Sequence, residues 1–165
     1  MTTIRPLEEA DSLRELTALL HRAYAKLSAM GLNYTAVDQS VETTAKRVST
    51  GACFVAAIEQ ELVGTILVRP THEASHCEFF TQTGVATAHQ FAVDPSRQGT
   101  GVGRMLLDRA EQWARDHSFL ELAIDTAEKA EHLIQFFSRH GYRHAGVVEW
   151  PGKVYRSVVM SKSLR

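Results

Sequence analysis

Apolar side chains recur at helical spacing at Leu13, Leu16, Leu19, Leu20, Tyr24 and Leu27. That period predicts a helix opening near Asp11-Ser12, with one face turned to a core. Ahead of it, Thr2–Arg5 reads as a short strand stopped by Pro6, and behind it residues 31–38 read as a polar loop carrying Asn33 and Tyr34. A second, shorter helix is expected over Ser40–Val48, with Gly51 as its stop. Two β-rich apolar runs, Cys53–Ile58 and Leu62–Val68, flank Glu59-Gln60-Glu61, which is a hairpin signal. Residues 70–83 are polar and aperiodic, and Val85–Val93 returns to strand character.

The second half alternates in the same way. Val102, Met105, Leu106, Ala110 and Trp113 make one apolar face of a helix running to about His117. A strand at Phe119–Ile124, a helix at Glu128–His140 ended by Gly141, and a hairpin of Tyr142–Trp150 and Val154–Met160 across Pro151-Gly152 complete the chain. The order β-α-α-β-β-β-α-β-α-β-β specifies an α/β fold, a mixed sheet with helices on its faces.

Composition changes this picture little. A chain of 165 residues with 44% apolar and 22% charged residues is expected to form one domain over residues 1–165. A net charge of -1 argues against general binding to nucleic acid or membrane surfaces. Two cysteines, Cys53 and Cys77, make no disulfide framework and suit a reducing cytoplasm. No apolar run approaches the roughly 20 residues of a membrane span, and Met-Thr-Thr-Ile-Arg-Pro lacks a secretory leader's apolar stretch. A cytoplasmic location is the expectation.

The chemistry concentrates where the 85–93 strand meets the helix at Val102. There the chain reads Val93-Asp94-Pro95-Ser96-Arg97-Gln98-Gly99-Thr100-Gly101-Val102-Gly103-Arg104. Alternate glycines allow a close backbone approach and a sharp turn. The unfilled amides and positive dipole end of the following helix suit a phosphate. The dinucleotide fingerprint Gly-x-Gly-x-x-Gly fails, because Arg104 or Leu106 stands in its third slot. The phosphate loop that needs Gly-Lys before Ser or Thr fails too, since the lone Gly152-Lys153 precedes Val154. What remains, Gln-x-x-Gly-x-Gly over Gln98–Gly103, closely resembles the acyl-CoA-binding loop of the GCN5-related N-acetyltransferases (the GNAT superfamily). Ile4-Arg5-Pro6 with Asp11 looks like that family's opening, and Phe137-Ser138-Arg139-His140-Gly141-Tyr142 like its Tyr-Glu-Lys-x-Gly-Phe segment.

The resemblance covers nearly the whole chain and carries definite expectations. The fold would be a mixed sheet of about seven strands flanked by about four helices, with splayed strands at the acyl-CoA site. Acetyl-CoA would be the acyl donor, its pyrophosphate cradled by Gln98, Gly99, Thr100, Gly101, Val102, Gly103 and Arg104. Its pantetheine arm would pair along Phe91, Ala92 and Val93, with Phe137 in the same cofactor set and the Val93 amide facing the thioester carbonyl. No metal is implied. The acceptor would be an amine on a small molecule or a peptide, meeting Asn33 and Tyr34, and a homodimer is an arrangement common in the family.

Proton transfer is where the chain departs from the family. A free alkyl ammonium with a pKa of about 10 is neutral in only about one molecule in a thousand at pH 7, so aminolysis calls for a base. By the family's register the usual Glu position is Thr87, and one of two His positions used by arylalkylamine N-acetyltransferases is His89. His89 is therefore the expected base. Strand alternation would put Thr87, His89, Phe91 and Val93 on one face and Gln90 on the other, and Glu78 and Glu149 are the alternative bases. The family's acidic Tyr is replaced by Phe137 and its Asn by Ala130. The thiolate would then leave unaided, which a thiol pKa near 8.5 permits. Those departures keep a non-catalytic acyl-CoA-binding or sensor protein as the alternative. His72, His76 and Cys77 read as a solvated loop, Arg14, Arg22, Lys46, Arg47 and Arg143 as solvated faces, and Trp150 as hairpin packing.

Overall fold

A computed structural model describes residues 1–165. Seven strands form one sheet in the order β1-β2-β3-β4-β5-β7-β6: β1 (Thr2–Pro6), β2 (Ala52–Ile58), β3 (Glu61–Arg69), β4 (Val85–Val93), β5 (Glu121–Ala127), β6 (Arg143–Val148) and β7 (Ser157–Ser163). Five helices cover it: α1 (Leu13–Ala29), α2 (Thr35–Asp38), α3 (Val41–Val48), α4 (Val102–Asp116) and α5 (Glu131–Arg139). The architecture agrees with the expected α/β sheet. The fifth helix is the single turn α2, inside a segment read as loop because four residues are too few to show a period.

Local chemistry sets the helix starts. Ser12 and Ser40 cap α1 and α3, accepting from the amides of Glu15 and Thr43. Arg5 holds Asp11 through two hydrogen bonds of 2.7 and 2.9 Å, which fixes the turn from β1 into α1. The sheet buries both faces. Along β2, Cys53, Val55 and Ala57 pack with Leu16 and Leu19 of α1, while Phe54 and Ala56 join the α4 core around Leu106 and Ala110.

β4 departs from regular geometry twice. Its register against β3 runs Arg69↔Thr87, Val68↔Ala88 and Leu67↔His89, then resumes at Thr65↔Ala92. Gln90 and Phe91 therefore oppose Ile66 alone, a β-bulge with Gln90 at φ +50°. The bulge reverses the facing of everything beyond it. Ala86 and Ala88 lie in the α4 core, yet Phe91 packs on Phe136 and Phe137, while Gln90 reaches Gln39 and Ala92 packs with Leu20. The expected grouping of Thr87, His89, Phe91 and Val93 on one face is thus corrected. Thr87 and His89 share the α1/α3 side with Gln90, and Phe91 and Val93 lie on the other. The second departure is in the parallel pairing of β4 with β5. It covers only Val85↔Glu121, Ala86↔Leu122 and Thr87↔Ala123, after which the strands part. β5 stays paired with β7 from Glu121 to Ala127.

Some boundaries moved. β5 runs to Ala127, past the expected end at Ile124, because the polar Asp125 and Thr126 interrupt the apolar run but not the ladder. α5 begins at Glu131, three residues late, since Ala127–Ala130 is a turn closed by the Ala130 amide on the Ala127 carbonyl.

Glu111 of α4 is 3% exposed and accepts from Tyr142 Oη at 2.9 Å and Lys162 Nζ at 2.8 Å, tying α4 to β7 and to the turn after α5. Tyr142 is accordingly a packing residue whose hydroxyl is committed to Glu111. Glu111→Ala leaves a phenol and an ammonium unpaired, and should lower the unfolding free energy by about 2 kcal/mol in urea titrations.

Candidate active site

A cavity of about 1040 Å³ opens where β4 and β5 part, and it is lined from both faces of the sheet. Phe91, Gly103, Phe136 and Phe137 line it on the α4/α5 side, and Arg47, Arg69, His89, Asp125 and Trp150 on the α1/α3 side. The gap follows directly from the shortened β4–β5 ladder. The Asp94 amide bonds to the Val63 carbonyl at 2.8 Å. In an antiparallel ladder the neighbouring Val93 then turns its own amide and carbonyl the other way, toward the gap. The Val93 carbonyl is met there by Gln98 Nε2 at 3.3 Å, and the Phe91 carbonyl by Tyr24 Oη at 3.0 Å.

The glycine loop closes one end. Gly99 and Gly101 adopt φ of +77° and +91°, with open space where a side chain would stand. Gly103 serves differently: a Cβ there would come within 3.1 Å of Phe136 Cζ and 3.3 Å of Phe91 Cζ. Gly101 is the N-cap of α4 and no side chain caps that end, so its first-turn amides are free for an anion. Arg104 is exposed beside Asp108. The Val102 side chain is in the core, which leaves only its amide toward the loop. The Thr100 hydroxyl donates to the Arg97 carbonyl and is spent inside the loop. Phe137, buried between Phe91 and Tyr142, supplies an apolar wall.

At the other end His89 is half-buried, its Nε2 2.7 Å from Thr87 Oγ1 and its ring edge-on to Phe80. Burial, then the charges of Arg69 and Arg47 and the nearby His72, hold its pKa well below 6.5. Asp125 of β5 faces the same space and accepts from Trp150 Nε1 at 2.7 Å. Burial raises its pKa against that hydrogen bond. Tyr34 lines the cavity with its hydroxyl between Thr126 Oγ1 and the Ala127 amide, each at 2.8 Å. Asn33 does not line it. Its side chain donates to the Gly152 carbonyl and accepts from the Val154 amide, bracing the loop against the β6–β7 hairpin.

Three sequence readings change here. Arg47, expected on a solvated face, is half-buried and lines the cavity. Trp150 lines it too, and orients Asp125. Asp125 was missed, although a lone acid inside the run Glu121–Ala127 was a visible signal. Glu78 and Glu149 are exposed and lie outside the cavity lining. His72 and His76 are exposed, as a solvated loop requires, but Cys77 is buried with Phe80, and His76 lies against Trp150.

The comparisons with known proteins follow the same lines. The sequence model described as "Acetyltransferase (GNAT) family" matches residues 14–142. The chain is 28% identical over 163 residues to an S-(2-succino)cysteine N-acetyltransferase of Bacillus subtilis, covering 95% of this chain and 92% of that one. It is 34% identical over 122 residues to an aminoglycoside N(6')-acetyltransferase type 1 of Stenotrophomonas maltophilia, covering 73% and 78%. Its fold is similar to that of a GNAT family acetyltransferase from Elizabethkingia anophelis solved with acetyl-CoA bound. The TM-score is 0.69 at 16% identity, over 98% of this chain and 97% of that one.

A lowered histidine pKa has a definite sign. Between pH 6.5 and the lower folded value, the unfolded chain binds a proton at His89 that the folded chain refuses, so stability falls as pH falls through that window. In a nitrogen-15 NMR titration, the His89 ring should remain neutral at pH 6, where an unperturbed histidine is mostly protonated.

Proposed function

The chain belongs to the GNAT acetyltransferase family, and we propose on that footing that it moves the acetyl group of acetyl-CoA directly to a primary amine, in a ternary complex. The observation that carries this is the shared gap: uncapped α4 amides at one end, the Val93 amide in the middle and His89 at the other. Both curated relatives are named as N-acetyltransferases of small amine compounds, which supports an amine acceptor.

The residues present fit acetyl-CoA. Open space at Gly99 and Gly101, with free amides at the start of α4, accepts a pyrophosphate, and Arg104 adds charge beside it. The parted edge of β4 accepts an extended arm as an added strand, against the apolar wall of Phe91, Phe136 and Phe137. By the same alternation Ala92 turns its amide and carbonyl to Thr65 of β3 and its methyl to Leu20 and Ala36, so it holds Phe91 and Val93 at the gap rather than bonding the arm itself. When bound, the cosubstrate supplies an activated acetyl thioester.

The protein's part is to orient and to move a proton. The Val93 amide faces the carbonyl oxygen on which negative charge develops. His89 takes the proton from the acceptor nitrogen. Its low pKa keeps the imidazole free to accept at neutral pH, and the same desolvation lowers the pKa of an ammonium beside it. The thiolate leaves without a donor, since Phe137 stands where the family's Tyr would be. Tyr34 forms part of the acceptor wall, while Asn33 supports the hairpin behind it. Residues 1–165 act as one domain, in the cytoplasm where acetyl-CoA is supplied.

Thiol release from acetyl-CoA against a library of amines tests the reading. His89→Ala should cut turnover by about 10²-fold and leave the Kd for acetyl-CoA unchanged by calorimetry. Binding without thiol release across the library would favour an acyl-CoA sensor on the same fold.

A further inference from the structure

Arg47 and Arg69 are cations that form no salt bridge within the protein, and Asp125 in the same cavity acts on Arg47 only through space. Both line the cavity at its His89 end, Arg47 from α3 and Arg69 from the last position of β3. All eight ion pairs within 4.0 Å join other residues. Arg47 Nη1 donates to Gln39 Oε1 at 3.0 Å and Arg69 Nε to Thr50 Oγ1 at 2.7 Å, both neutral acceptors. Each guanidinium is half-buried, and its remaining N–H groups have no acceptor within the protein. Burial lowers both pKa values, the charge of Arg47 lowers that of Arg69 further, and the opposing pull of Asp125 on Arg47 is smaller than the effect of burial.

A third donor joins them. A guanidinium can only donate, so the oxygen of Gln39 must face Arg47. Gln39 Nε2 then donates to Gln90 Oε1 at 2.8 Å, and the polarity of the chain leaves Gln90 Nε2 at its end. That nitrogen is buried, has no acceptor, and belongs to a side chain 4% exposed that lines the same cavity. Gln90 sits at the left-handed φ of the β4 bulge, so the bulge itself turns this amide toward Gln39 and Arg47. Although Asp125 lines the same cavity, Arg47, Arg69 and Gln90 Nε2 form a cluster of donors only. A ligand group that is all acceptor and negatively charged satisfies it, and a bound carboxylate is such a group. Eight arginines and lysines line the whole cavity against the single carboxylate of Asp125.

We propose, resting on the acetyltransferase reading above, that the acceptor is an amine that also carries a carboxylate, and that Arg47 and Arg69 bind that carboxylate. Asp125, held by Trp150, faces the ammonium of the same zwitterion. Arg69 is the register partner of Thr87, whose hydroxyl is bonded to His89, so the carboxylate subsite adjoins the reacting end of the cavity. A polyamine would meet two half-buried cations there against the single carboxylate of Asp125, and is disfavoured.

The test is thiol release from acetyl-CoA with amino acids and aminodicarboxylates, each against its carboxamide, and with a polyamine. The carboxylates should have a kcat/KM about thirtyfold higher or more, and Arg47→Gln and Arg69→Gln should erase the preference. Calorimetric binding of succinate to the CoA-bound protein gives a readout that needs no turnover. It should be lost in both variants while their CoA affinity, which reports folding, holds. Equal or faster turnover of carboxamides or the polyamine would overturn the carboxylate subsite and leave the acetyltransferase reading intact. Succinate bound through the arginines with no amine turned over would overturn the acetyltransferase reading and keep the subsite. Neither turnover nor succinate binding would overturn both.

Discussion

Backbone amides and carbonyls that lose their ladder partners must find others, and β4 loses its β5 partner from Ala88 onward. Almost everything at the candidate site exists around that loss. Tyr24 reaches from α1 to the Phe91 carbonyl, and Gln98 reaches back from the glycine loop to the Val93 carbonyl. The Val93 amide stays open to an incoming chain. An extended arm laid along this edge would complete the sheet, which couples binding to a deficit already built into the fold.

The bulge at Gln90 gives the gap two different ends. Without it, strand alternation would carry His89, Phe91 and Val93 to one face. With it, Phe91 closes the apolar side with Phe136 and Phe137, and His89 and Gln90 together face Arg47, Arg69 and Asp125. One end is then aromatic and roofed by uncapped helix amides. The other is basic, half-buried and short of acceptors. The charge at that end also explains His89: with burial, the flanking arginines keep its ring neutral, so in the proposed reaction one electrostatic arrangement would serve both the base and the anion subsite.

The fold and the glycine loop at the start of α4 were legible in the sequence, because both rest on local signals. Helical period, serine caps and the spacing of Gly99, Gly101 and Gly103 are read within a few residues of where they act. The other half depends on pairings made far along the chain. Arg47 lies on a short helix whose polar positions read as solvent-facing, and only the packing of α3 against α1 turns it inward. The bulge needs the β3 register, which no local pattern encodes. Asp125 looked like a strand end because its partner, Trp150, is 25 residues away. Asn33 was placed near the acceptor by its position in the chain, yet its amide is consumed by the hairpin beside it.

The account stands on the parted edge of β4 being the seat of the acyl donor. A crystal structure with CoA measures this most directly. The expected result is a pantetheine arm lying along β4, hydrogen-bonded to the backbone of Val93, with the pyrophosphate on the amides from Gly99 to Arg104. CoA bound elsewhere with the β4–β5 gap empty, or a gap closed by continued β4–β5 pairing beyond Thr87, would contradict it.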